Sequence, residues 1–125
     1  MLTLALLCAG LALVIYWRGT ALTVTPAMLD GALRSESSPT LIDVRTGYEY
    51  ARGHIPNAIS IPLHVLLTRY DELAIAPDKP VVVYCGHGPR ACIASFVLQL
   101  VGFEQVYVLK GQITGWRDAG LPLSS

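Results

Sequence analysis

Charge is scarce in this 125-residue chain: nine Lys plus Arg and nine Asp plus Glu make up 14% of it and cancel to zero. Only two of the basic residues, Lys79 and Lys110, are lysines. With no cationic excess and no basic stripe, no nucleic-acid partner is expected. Cysteine is equally sparse. Three thiols, Cys8, Cys85 and Cys92, cannot build a paired framework, so a disulfide-stapled mini-protein is excluded and each thiol needs its own explanation. The three histidines, His54, His64 and His87, stand at no recognisable metal-ligand spacing, and no metal or other cofactor is expected. Internal repeats and low-complexity tracts are also missing.

What is abundant is apolar, and it is unevenly placed. Fifteen of the first 17 residues are hydrophobic, only Thr3 and Gly10 are not, and every charge lies at or after Arg18. The order Tyr16-Trp17-Arg18 is the one found where an apolar helix meets headgroups and water. Residues 1–17 therefore read as a membrane anchor, spanning from Leu2 to Trp17, with 18–21 as a short linker and 22–125 as one globular domain. Sixteen residues at ~1.5 Å each reach about 24 Å, short of a ~30 Å hydrocarbon core unless the bilayer thins. A cleaved signal peptide is the main rival, because Gly19 and Ala21 fit a small-x-small cleavage pattern, but no basic residue precedes the apolar run. Cys8 reads as a small apolar residue in lipid rather than a lipidation site. Arg18 on the carboxyl side places the domain in the cytoplasm as a single-pass membrane protein.

The domain alternates short β-branched runs with helical spacings, which predicts an α/β fold with a mainly parallel five-stranded sheet and helices on both faces. Strands are expected at Leu22–Thr25, Thr40–Val44, Ala58–Ile61, Val81–Tyr84 and Gln105–Leu109. Thr25-Pro26 looks like an N-cap with proline at the first helical position, opening a helix to Arg34. Further helices are expected over Gly47–Arg52, Leu63–Leu73 (apolar at Leu63, Leu66, Leu67, Tyr70 and Leu73), Ala91–Val101, and after Gly111 around Trp116. The unbroken run Val81–Tyr84 marks a central strand covered on both faces. Ala91–Val101 reads as a buried helix, with Gly102 ending it.

Ligands of open α/β sheets bind beyond the carboxyl ends of strands, against the amino end of the next helix. The segment Cys85-Gly86-His87-Gly88-Pro89-Arg90 occupies that position. Two glycines allow a tight curl of inward N–H groups, Pro89 can start the helix, and Arg90 adds a positive charge. Such a cradle would favour the thiolate of Cys85 and make it a nucleophile.

Three stretches together resemble the rhodanese-like domains: Leu41-Ile42-Asp43-Val44-Arg45 with Glu49 and Gly53 to Pro62; the loop from Cys85 to Arg90; and Leu109-Lys110-Gly111 followed by Trp116. The resemblance covers Leu22 to Leu121 and implies a single-domain sulfurtransferase. Cys85 would take sulfane sulfur from thiosulfate or a persulfide as its own persulfide and pass it to a thiol or cyanide-like acceptor. Gly86, His87, Gly88 and Arg90 would bind the small anionic donor. The six-residue loop has the sulfurtransferase length, one residue shorter than in phosphatases of the same fold, which disfavours phosphate hydrolysis. Where the family carries paired glycines, this chain has Gly111-Gln112, a change at the edge of the pocket. A module that binds a protein partner or carries sulfur without turnover is the second reading.

The remaining candidates have plainer roles. Asp43 with Arg45 is expected to be scaffold beneath the loop rather than acid-base machinery, and His54 and His64 to be structural. His87 either contacts the donor or caps the loop. Cys92 reads as a small core residue rather than a resolving thiol.

Overall fold

The computed structural model describes residues 22–125. The expected anchor over residues 1–17, the linker 18–21 and Cys8 lie outside the described residues. Among those described, no helix is long and apolar enough to cross a membrane.

Five strands form one sheet in the order β1-β5-β4-β2-β3, with every neighbouring pair parallel. They are β1 (Thr23–Val24), β2 (Thr40–Asp43), β3 (Ile59–Ser60), β4 (Val81–Tyr84) and β5 (Val106–Leu109). The helices are α1 (Pro26–Leu33), α2 (Gly47–Ala51), α3 (Leu63–Arg69), α4 (Pro89–Leu100) and α5 (Gln112–Asp118). The expected architecture is thus the observed one. At the start of α1, Thr25 Oγ1 accepts a hydrogen bond from the Met28 N–H at 3.2 Å and Pro26 occupies the first turn, where its missing N–H costs nothing.

β4 is buried along its whole length, and its side chains alternate between two cores. Val81 and Val83, followed by Cys85, join Leu66, Ala91, Ala94 and Leu98 from α3 and α4. Val82 and Tyr84 join Leu29, Ile113 and Trp116 from α1 and α5 on the other face. This parity decides the direction of Cys85: it points to the α4 side of the sheet. After β2 the chain moves outward to β3, whereas after β4 it moves to β5 in the opposite direction. The two connections diverge between β2 and β4, so the carboxyl ends of these strands are the topological switch point of the sheet.

Four expectations are corrected. The segment Leu63–Leu73 is not one helix: α3 stops at Arg69 and a 3₁₀ turn covers Tyr70–Glu72. α3 packs chiefly through Leu66, leaving Leu67 and Tyr70 exposed, because helical spacing defines a stripe but not how much of it a neighbour covers. α4 is not buried all round. Ala91, Ala94, Ser95 and Leu98 face the sheet, but Ile93, Leu100 and Val101 are exposed. Cys92 lies on that outer face and is exposed rather than in the core. His64, expected to be structural, is likewise exposed on α3.

Candidate active site

Cys85 stands at this switch point, one residue past the end of β4 and completely buried. The loop behind it turns into α4 at Gly88, whose φ of 121° and ψ of −47° lie where only glycine is comfortable. The Gly88 N–H then points back and donates to Cys85 Sγ at 2.9 Å. Arg90 and Ala91 follow in the first turn of this 12-residue helix, where N–H groups have no intrahelical acceptor, and the positive end of its dipole faces the sulfur. At Gly86 a Cβ would sit 3.4 Å from Arg90 Nη2 and 4.0 Å from Glu49 Oε2, close to ordinary contact with the ion pair. His87 is exposed on the loop.

The start of α5 grips this loop from below. Gln112 Oε1 accepts from the Cys85 N–H at 3.0 Å, the Ile113 N–H donates to the Cys85 carbonyl at 3.2 Å, and Thr114 Oγ1 donates to the Gly86 carbonyl at 3.4 Å. Among the described residues the Gly88 N–H makes the one hydrogen bond to Sγ, while the Cys85 N–H is turned to Gln112. To make this contact Gln112 adopts φ 56°, directly after Gly111 at φ 76°. A residue with a Cβ pays ~1–2 kcal/mol for that conformation. α5 can come this close because residue 115 is glycine: a Cβ there would meet the Lys110 carbonyl oxygen at 2.8 Å.

Arg90 is not the free positive charge that the sequence implied. Its Nη1 and Nη2 donate to Glu49 Oε1 at 2.6 Å and Oε2 at 3.2 Å, bridging α4 to α2. Glu49 also closes a capping box, accepting from the N–H and hydroxyl of Thr46 while its own N–H donates to Thr46 Oγ1. Arg90's hydrogen bonds, aided by those from Thr46, hold the Glu49 carboxyl down to about 2 against desolvation. The Arg90 guanidinium is raised first by Glu49, and the field of Cys85 adds to this. Attraction of an anion to the loop thus rests on amides and the helix dipole more than on net side-chain charge.

A folded-state pKa below the unfolded value gives stability that is present above pH 4.5 and lost as pH falls from 4.5 towards 2. Both side chains of the pair are 34% exposed, so the contribution is expected to be at most about 1 kcal/mol and salt-sensitive. Glu49→Gln keeps a capping-box side chain but removes the charge. It should flatten the urea midpoint of unfolding across that pH window, and an unchanged acid slope would show that the pair is inert.

Beneath the loop, Asp43 and Arg45 form a bidentate pair with side-chain exposures of 0% and 5%. Asp43 Oδ1 accepts from the Arg45 N–H and Nε, Oδ2 accepts from Nη2 at 2.7 Å, and Nη2 also donates to the Gly53 carbonyl at 2.7 Å. The Arg45 guanidinium lies 5.9 Å from the Tyr84 ring centroid. Burial, reinforced by Asp43, pushes the Tyr84 phenol well above its ordinary range, and its oxygen accepts from the Ile55 N–H at 3.1 Å. His54 stacks on Tyr50 at 3.7 Å and its Nδ1 lies 2.9 Å from the Tyr50 carbonyl oxygen. These contacts fix the Gly53–Ala58 segment and touch no part of the Cys85 loop.

The fold agrees with comparisons to known proteins. Residues 25–119 match the Rhodanese-like domain family, and the chain belongs to it. It is 40% identical over 83 residues to a protein named sulfurtransferase from Allochromatium vinosum, an alignment covering 66% of this chain and 76% of that one. It is 34% identical over 86 residues to the thiosulfate sulfurtransferase GlpE of Actinobacillus pleuropneumoniae, covering 69% and 78%. The crystal structure of a rhodanese-related protein from Thermoplasma volcanium superposes with a TM-score of 0.73 at 29% identity, covering 83% of this chain and 98% of that one. The chain is therefore a rhodanese-like domain with sulfurtransferases among its relatives.

Proposed function

We propose that this protein is a thiosulfate or persulfide sulfurtransferase whose nucleophile is Cys85. The observation that carries the reading is the 2.9 Å hydrogen bond from the Gly88 N–H to Sγ, in a loop that opens directly onto the amino end of α4. Main-chain dipoles fixed on a sulfur anion stabilise it without reorganisation, and they can follow the charge onto a second sulfur. In the first step the Cys85 thiolate attacks the outer sulfur of thiosulfate. A new S–S bond forms, the S–S bond of the donor breaks, and sulfite leaves with the electron pair. In the second step an acceptor thiolate or cyanide attacks the terminal sulfur of the Cys85 persulfide, and the Cys85 thiolate is released as the leaving group. Neither step needs an external oxidant or reductant. Gly86, His87, Gly88 and Arg90 surround the donor in this reading.

Intact-mass measurement before and after thiosulfate tests the proposal. A gain of one sulfur atom per chain, removed again by cyanide, is expected; an unchanged mass overturns it. The complete burial of Cys85 favours a second reading, in which the domain holds sulfur for a protein partner that opens the loop. Sulfur loading without release to small acceptors, together with stable co-purification of one partner, would select it.

On the sequence alone, the apolar segment from Leu2 to Trp17 is proposed to tie the domain to the cytoplasmic face of a membrane. Full-length protein should then stay with the membrane fraction through an alkaline carbonate wash, and recovery in the supernatant would refute the anchor.

A further inference from the structure

Gln112 stands where the resemblance leads one to expect the second of two glycines, and it holds a backbone conformation that a glycine would adopt more easily. Its residue exposure is only 8%, so a polar side chain has been enclosed at the edge of the loop. The Cys85 N–H can only donate, and therefore it fixes the orientation of the Gln112 amide: Oε1 faces Cys85 at 3.0 Å and the Nε2 protons face away. Nε2 forms no hydrogen bond among the described residues. No fully enclosed side-chain nitrogen or oxygen among them lacks a partner, so Nε2 opens to solvent. Its position is beside Gly88, 4.0 Å from where a Cβ on that residue would lie. A two-proton donor with no acceptor among the described residues thus stands next to the residue whose amide holds Sγ.

We propose that Gln112 is a specificity-determining residue that binds an anionic oxygen of the sulfur donor, such as a sulfonate oxygen of thiosulfate. Oε1 anchors the loop through Cys85, and Nε2 donates to the oxyanion end of the donor while the outer sulfur meets Sγ. This rests on the reading of Cys85 as the sulfur-accepting nucleophile. It also assigns a use to the positive φ: a glycine would give the turn without strain but would contribute no donor. Because Arg90 is engaged by Glu49, an uncharged N–H pair at this edge supplies recognition that the guanidinium does not offer freely.

Ping-pong turnover separates the two half-reactions, so kcat/KM for thiosulfate and kcat/KM for cyanide can be measured independently. Gln112→Glu keeps an acceptor for the Cys85 N–H but replaces the donor with a negative oxygen. It should lower kcat/KM for thiosulfate by about tenfold or more, the scale of one hydrogen bond to a charged group, with a smaller change for cyanide, which has no oxygen to bind. Gln112→Gly removes the donor, and with it the acceptor of the Cys85 N–H, while relaxing the backbone; it should raise the KM for thiosulfate. If both half-reactions of Gln112→Glu fall equally, or if thiosulfate kinetics in either variant match the wild type, Gln112 only shapes the loop and the proposal is overturned. Wild-type protein that takes up no sulfur would instead overturn the assignment of Cys85, and this proposal with it.

Discussion

Cys85→Ser should abolish sulfur uptake from thiosulfate and lower turnover by on the order of a thousandfold or more, the scale seen when an enzyme loses its nucleophile. A serine hydroxyl fits the same enclosed site with little change in volume and can still accept from the Gly88 N–H. The fold should therefore survive, and the loss would be chemical: an alkoxide is not formed at neutral pH by main-chain amides alone. Intact mass should show no added sulfur, while circular dichroism and the thermal midpoint stay near wild type. Residual sulfur on the variant would move the acceptor role to another thiol.

Asp43→Ala should produce the largest loss of stability, about 3–5 kcal/mol, read as a fall in the urea midpoint at unchanged slope. The carboxylate is fully enclosed and accepts from both the guanidinium and the backbone N–H of Arg45. Removing it strands a buried cation whose other hydrogen bond is to the Gly53 carbonyl. The double variant Asp43→Ala, Arg45→Met should recover much of the loss, because an apolar side chain of similar length needs no partner there. Single-variant losses that simply add in the double variant would mean that the two side chains are not coupled.

The sheet and most of its elements were legible because parallel strands covered on both faces leave continuous apolar runs, as in Val81–Tyr84, and because Thr25-Pro26 caps a helix by local chemistry alone. The position of Cys85 followed from the same pattern. What the sequence concealed is what long-range geometry decides. Thr46 and Glu49 have capping-box spacing, but nothing local says that the same carboxylate reaches from α2 to α4 to neutralise Arg90. Gln112 was visible only as a departure from a glycine pair; its bond to the Cys85 N–H joins residues 27 apart in sequence. Cys92 was misplaced because an almost wholly apolar helix gives no moment to show which side is wet.

The contrast between a sealed Cys85 and an exposed Cys92 bears on how the protein is handled at the bench. Maleimides, dyes and mild oxidants meet the outer thiol first, so total thiol titration reports a bystander, and dimers joined through Cys92 could mimic an inactivated enzyme. Replacing Cys92 with serine beforehand would leave a background against which every remaining change in the thiol signal of residues 22–125 belongs to Cys85.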